Sequence, residues 1–304
     1  MFAPIRTMIV AVALDDRDAS TLAHARTFVE TFSAEAVYLV HVVKQPAHKG
    51  AAQAAVGPAE DAAIREKLQT LADGLSLPAS TRVELVVAHG DVTAALAKLA
   101  GRASADLICV GRSVDSRADE STRGAVRVMR KSPCSVLIAP AGSAAVYRRV
   151  LVAVDFSKRS GEAVELAAKL AARGATIATL HAYAPPLGYH KLGQSYEEAA
   201  AAVRQEAEAE EREWLARLDL GGVACERRFV VGEEVPRKIA DEAETLDADL
   251  IVVASHGRTQ PAALLLGHVA DATCRKTTRP MLCVKRKGEV VNLIQAIAQL
   301  YEWD

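Results

Sequence analysis

Short apolar runs alternate with segments of helical period along the chain. In the second half "RVLVAVDF" (149–156) predicts a strand. "SGEAVELAAKLAARG" (160–174) follows, with Ala163, Val164, Ala167, Leu170 and Ala171 at helical spacing and Gly174 as the expected stop. "ATIATLHAY" (175–183) predicts a strand and "SYEEAAAAVRQEAEAEEREWLARL" (195–218) a long helix rich in strong helix formers. "ACERRFVVG" (224–232), "DLIVVAS" (249–255) and "PMLCVKR" (280–286) predict three more strands. "EVPRKIADEAETL" (234–246) and "LLLGHVADATCRK" (264–276) predict the helices between them.

The first half repeats this order. "MIVAVALDD" (8–16) matches "VLVAVDFSK" (150–158), and "VYLVHVV" (37–43) matches "IATLHAY" (177–183). "VELVVAHGDV" (83–92) matches "RRFVVGEEV" (227–235). "ADLICVGRS" (105–113) matches "ADLIVVASH" (248–256), and "SPCSVLIAP" (132–140) matches "TRPMLCVKR" (278–286). Landmark residues recur at near-constant offsets: 140 from Asp15 to Asp155 and from His41 to His181, 143 from Gly124 to Gly267 and 147 from Pro133 to Pro280. Five matches in one order mean a duplicated domain. The expected division is 1–142, 147–288 and a tail 289–304, with "AGSAAVY" (141–147) as a linker short enough to keep the copies packed.

Near-continuous Val, Ile and Leu strands separated by helices imply an α/β fold. Its sheet is parallel and covered on both faces. With right-handed crossovers the expected topology is doubly wound, of order 2-1-3-4-5 or a relative. Such sheets bind ligands beyond the carboxyl ends of their strands, where the winding reverses. The loops after strands one and four of each copy are therefore the candidate sites.

At these residues the chain resembles the universal stress proteins in their tandem two-domain form. "LVAVDFSKRSGEAVELAAKLA", "LVHVV", "TLHAY", "ADLIVVASHGR" and "LLLGHVADATCRKTTRPMLCVK", with their first-copy partners, carry the likeness as far as about residue 288. The resemblance implies two Rossmann-like (adenine nucleotide alpha hydrolase-like) domains, each a five-stranded parallel sheet with helices on both faces. It implies ATP, with or without Mg, lying across a motif G-x-x-G, nine residues, G-[ST]. An aspartate ending the first strand would sit beside the adenosine, and the second strand would offer backbone to adenine. Domains of the family pair through their last strands, so "SVLIAP" is expected beside "MLCVKR" as an intramolecular pseudo-dimer. A homodimer and an unidentified protein partner are further expectations.

Laid on the second copy, the motif reads Ala254, Gly257, nine residues, Gly267 and His268, with Arg258 as a further charge and Ala182 on the second strand. Glycine lets backbone approach phosphate, and a helix start presents unpaired amides to an anion. Ala254 adds one methyl and is compatible with negative φ. His268 replaces a hydroxyl with a ring that either blocks phosphate or donates to it, better in its protonated form. On the first copy the motif reads Gly111, Val114, nine residues, Gly124 and Ala125, with Val42 on the second strand. Val114 resists positive φ, and Asp115, Asp119 and Glu120 oppose an anion. Arg112, Arg117, Arg123 and Arg127 offset them. Asp15 and Asp155 are the paired strand-end aspartates, the latter also readable as a helix cap. The second copy is the stronger site.

Composition narrows the function. The chain of 304 residues is 50% hydrophobic and 25% charged, with 37 Lys and Arg against 38 Asp and Glu and a net charge of −1. That balance provides no electrostatic footprint for nucleic acid or an anionic membrane. Five cysteines, without a C-x-x-C pair, read as reduced thiols of a cytoplasmic protein. No ligand spacing for a metal is present; His256, His268 and Cys274 do not form one. P-loop, G-x-S-x-G, H-E-x-x-H and kinase signatures are missing, so no catalytic residue is assigned and the chain is not read as an enzyme. The expectation is a stress-response nucleotide-binding regulatory module. The alternatives are a nucleotide-free interaction protein and a slow ATP hydrolase. In the tail, Val290, Leu293, Ile294, Ile297, Leu300 and Tyr301 form one helical stripe, read as a helix docked on its own body.

Overall fold

The computed structural model describes residues 4–44, 58–114, 120–255 and 267–287. The tail and its apolar stripe lie outside the described residues. The chain divides into two compact units, one formed by residues 146–279 and the other by the segment up to residue 145 together with the chain from residue 280.

In the N-terminal unit, strands β1 (Thr7–Val12), β2 (Ala36–Val43), β3 (Arg82–His89), β4 (Leu107–Arg112) and β5 (Ser135–Pro140) alternate with helices α1 (Arg17–Phe32), α2 (Pro58–Gly74), α3 (Val92–Arg102) and α4 (Glu120–Lys131). The five strands are parallel, in the order β3-β2-β1-β4-β5. This is a relative of the expected order, with the winding reversing between β1 and β4. Right-handed crossovers then put α1 and α2 on one face and α3 and α4 on the other; α3 packs on α4, and α1 lies against β1, β4 and β5. Met8, Ile9, Val10, Leu107, Ile108 and Leu137 are fully buried, as a sheet covered on both faces requires.

The C-terminal unit repeats the pattern with β6 (Arg149–Ala153), α5 (Lys158–Leu170), β7 (Thr176–Tyr183), α6 (Tyr196–Leu215), β8 (Ala224–Val231), α7 (Val235–Thr245), β9 (Leu250–Ala254) and α8 (His268–Lys276). Its strands run parallel in the order β9-β6-β7-β8, so the reversal falls between β6 and β9. A single 3-10 turn, Tyr189–Leu192, interrupts the connection from β7 to α6. Ser195 then starts α6 with a reciprocal capping box to Glu198.

The last strand of the second copy, β10 (Met281–Val284), is grouped with the N-terminal unit. It pairs antiparallel with β5, Leu282 opposite Leu137 and Cys283 opposite Val136, as the sequence led us to expect for these two segments. Beyond it Lys285 is 6% exposed and donates through Nζ to the carbonyl oxygens of Met129 (2.6 Å), Ser132 (3.0 Å) and Arg130 (3.4 Å). A cation on the last carbonyls of α4 satisfies groups the helix leaves unpaired and complements its dipole.

One strand and one helix end short of the sequence reading. The first strand of the second copy stops at Ala153 because Phe156 takes a left-handed φ of +60°. Helix α5 ends at Leu170, four residues before Gly174, which turns the chain into β7 at φ +76°. The repeated "ADL" acquires a structural meaning. Asp106 Oδ2 accepts from the amides of Arg6 and Thr7 at 2.9 Å, and Asp249 Oδ2 does the same for Arg148 and Arg149 at 2.8 Å.

Candidate functional site

The reversal point of the C-terminal unit is built by the segment after β6 and by the start of α8. Asp155 stands two residues beyond β6, and its Oδ1 accepts the amide of Ser157 at 3.1 Å. The cap of α5 is Ser157 itself, whose Oγ accepts from Ser160 N at 3.2 Å, so Asp155 is not the helix cap. Between them the Phe156 ring stacks on His181 at 4.3 Å, with Trp214 at 5.6 Å from Phe156 and Phe229 edge-on to His181 at 6.2 Å. His181 Nδ1 donates to the Val154 carbonyl at 3.0 Å, which fixes its tautomer and ties β7 to the end of β6. Ala182 follows, opposite Val230 and half-buried.

On the other side of the crevice, Ala254 ends β9 and its φ is not positive, as its Cβ requires. Ser255 is fully buried, and its carbonyl accepts the Gly267 amide at 2.7 Å. Gly267 (φ −53°, ψ 139°) is the residue before α8 and provides no side-chain cap. The helix start is therefore held at the end of β9, and its N-cap residue, a glycine, brings no side chain to the first amides, which a helix start can present to an anion. His268 is the first helical residue and is exposed. Gly257 and Arg258 lie outside the described residues.

The first copy is built differently. Gly111 lies within β4, and a Cβ there would meet Thr21 Oγ1 at 2.6 Å and Arg17 Cβ at 3.2 Å. Its glycine is required by the close approach of α1. Gly124 does not start a helix; α4 begins at Glu120, and Gly124 and the buried Ala125 are already inside it. The Ser113 amide is bonded to Ser121 Oγ at 3.0 Å. Residues 115–119, with Asp115, Arg117 and Asp119, lie outside the described residues, and Val114 is exposed. Val42 is buried opposite Ala88.

The pairing of Asp15 with Asp155 is corrected by the structure. His41 Nδ1 donates to Val12 O at 3.0 Å just as His181 does to Val154 O, and Leu14 (φ +61°) matches Phe156 (φ +60°). The offset here is 142, so the counterpart of Asp155 is Ala13, and Asp15 corresponds to Ser157. The register shifts to 140 by His181 because the chain between the matched residues is two residues shorter in the second copy. The first copy thus lacks the strand-end aspartate.

Its crevice is also occupied from within. Asp18, 5% exposed, accepts the amides of Ala13 (2.8 Å) and Leu14 (2.7 Å) on its two carboxylate oxygens, and that of Asp15 at 3.2 Å. Burial raises its pKa and the Ala13 and Leu14 amides act against that rise. Asp15 forms a bidentate pair with Arg17, Nε to Oδ1 at 2.8 Å, and this hydrogen bond lowers the Asp15 pKa. Backbone groups that face a ligand in an anion site are here satisfied by side chains of the same unit.

The five cysteines are free, and four are buried. Burial pushes the Cys134 thiol up to about 11 and raises that of Cys109, which leaves both as unreactive thiols. Among the described residues no His, Cys, Asp and Glu group could hold a metal, and no helix is long and apolar enough to cross a membrane.

The family model of the universal stress proteins matches the chain twice, at residues 4–140 and 146–285. The chain belongs to the universal stress protein family. Universal stress protein A homolog 1 of Coxiella burnetii is 33% identical over 144 residues, covering 46% of this chain and 98% of that one. A universal stress protein crystal structure from Archaeoglobus fulgidus matches 92% of this chain and 96% of its own, at 19% identity and a TM-score of 0.65, a likeness of fold. Another, solved in complex with cAMP, is 29% identical over 46% of this chain and 98% of its own, at a TM-score of 0.30.

Proposed function

We propose that this universal stress protein is a cytoplasmic regulatory module of the stress response that binds ATP or another adenine nucleotide, mainly in its C-terminal unit. A protein partner would read the liganded state. The observation that carries the reading is the Gly267 amide bonded to Ser255 O at 2.7 Å, which sets the start of α8, with a glycine as its N-cap, at the end of β9 beside the winding reversal. Asp155, Ala182, Ala254, Gly267 and His268 are its proposed contacts, with Gly257 and Arg258 from outside the described residues. When bound, Mg would supply charge neutralisation at the phosphates, and Asp155 is the carboxylate on this side for one of its waters. The N-terminal unit is proposed as the weaker site, because Asp18 already fills its strand-end amides and Gly124 and Ala125 lie inside α4. Calorimetry with ATP on the full chain tests the reading; absence of heat and of competition at millimolar ATP would remove it.

His268 favours a second reading, an interaction protein without nucleotide, because it stands where the motif asks for a small hydroxyl. A ring that blocks the phosphates predicts that His268→Ser tightens ATP binding, whereas a ring that donates to them predicts weakening. A slow ATP hydrolase is the third reading; phosphate release no faster than in buffer disposes of it. We assign no catalytic residue.

A further inference from the structure

We propose that α6 is a proton-released helix: Glu211 seats it on β7 and β8 as the neutral acid, and loss of that proton frees the helix to lift from the sheet.

The footing of α6 is thin in apolar groups. Over its 20 residues the buried positions are Ala199, Ala200, Ala207 and Glu211. Helix α5, with 13 residues, buries Val164, Leu166 and Leu170 in addition to its alanines. An alanine removes little apolar surface from water, so the docking of α6 depends on the state of its one long buried side chain. Glu211 is fully buried, and so is Thr179 of β7, against which it lies.

Counting protons assigns the charge of Glu211. Thr179 Oγ1 is 2.7 Å from Glu211 Oε1 and 3.2 Å from the Glu226 carbonyl oxygen. Glu211 Oε2 is shielded from solvent and has no partner among the described residues. An ionised Glu211 would compete with the Glu226 carbonyl for the single hydroxyl proton of Thr179. It would also leave charge on a buried, unpaired oxygen, which costs far more than a neutral group there. A protonated Glu211 donates to Thr179 Oγ1, the hydroxyl donates on to the Glu226 carbonyl, and both bonds are made.

The groups around the carboxyl do not replace that proton. Arg227 of β8, the cation facing it, donates through Nη1 to the Glu208 carbonyl at 3.5 Å. The Glu208 carboxylate, one turn back on α6, is held by Arg204 at 2.7 Å. Cys225 of β8 is kept a thiol by burial, which raises its pKa. On this face β7 presents Thr179, His181 and Tyr183, and the His181 Nδ1 is engaged by Val154 O. Helix α5 comes against Trp214 at Gly161, and Glu165 accepts the Asp219 amide beyond α6 at 3.4 Å. Burial raises the Glu211 pKa above the ordinary 4.5; Thr179 and Arg227 oppose the rise and Glu208 adds to it. A folded value above the unfolded one favours the docked helix at low pH, and that preference is lost as pH rises from 4.5 through the folded value. Trp214, one turn beyond Glu211, lies on Phe156 at 5.6 Å, and Phe156 stacks on His181. Lifting of α6 uncovers this aromatic cluster, so the helix carries a pH signal to the end of β6.

The test is hydrogen exchange of the full chain, read by mass spectrometry in α6 and α7 over about pH 5 to 8 and corrected for intrinsic rates. Protection in α6 is expected to fall about tenfold per pH unit above 4.5, until the buried acid ionises in place. Glu211→Gln keeps a donor for Thr179 and cannot ionise, so α6 should stay equally protected across the range. A slope in α6 that persists in Glu211→Gln, a slope of the same size in α7, or no slope in the parent chain overturns the proposal. If Glu211→Gln does not fold, Glu211→Met, unbranched and uncharged, is read in the same way.

Discussion

The backbone N–H of Gly267 donates to the carbonyl of Ser255 at 2.7 Å, which ties the residue before α8 to the end of β9. Gly267 has a φ of −53°, inside the range of proline, so Gly267→Pro mainly deletes the donor. Loss of that bond is expected to cost about 1 kcal/mol locally and to weaken ATP by severalfold with little change in global melting. Calorimetry beside a thermal melt checks both. Unchanged ATP affinity would detach this hydrogen bond from the site.

Gly111 and Thr21 form a packed pair that the second copy replaces with Ala254 and Ala163 at the corresponding positions. Gly111→Ala puts a methyl 2.6 Å from the Thr21 hydroxyl and is expected to destabilise by about 1–3 kcal/mol. Thr21→Ala in the same chain should recover most of that loss. A double-mutant cycle in denaturant reads the coupling, and additive effects would contradict the contact.

His24 is fully buried in α1, and its Nε2 donates to Ser143 Oγ at 2.9 Å while that hydroxyl donates to Pro140 O at 2.6 Å. Burial lowers its pKa from 6.5 to about 4. The unfolded chain therefore takes up this proton first as pH falls. The contribution of neutral His24 is complete above about 6.5 and is lost progressively down to about 4. Stability should fall by about 2–3 kcal/mol over that window from this group. Melts against pH should show a flatter slope there for His24→Gln; an unchanged slope would assign the effect elsewhere.

Lys285 fastens the end of β10 to the last turn of α4 through three carbonyls. Lys285→Met keeps the aliphatic stem and removes the donors. A loss of about 2 kcal/mol is expected, with hydrogen exchange accelerated in the last turn of α4. Exchange unchanged at Val128–Lys131 would show that the turn is satisfied without the ammonium.

The sequence by itself determined the duplication, the order of strands and helices, and the parallel α/β class. Runs such as "LIVV" and "LVAV" can be buried on both faces only in such a sheet. The pairing of the β5 and β10 segments was expected from the family resemblance. The tertiary structure decided between two registers that the sequence offered. The match of 8–16 with 150–158 has an offset of 142 and the landmark aspartates one of 140; the shared His–carbonyl bonds and left-handed residues select 142 at the strand end, so Asp15 and Asp155 are not equivalent. Likewise Gly111 reads as a phosphate glycine until α1 is seen against it, and the three amides that close on the Asp18 carboxylate appear only in the structure. The physical reason is common to these cases. Strand periodicity is a local property of the chain, whereas the use of a glycine or a carboxylate depends on which distant backbone is folded against it.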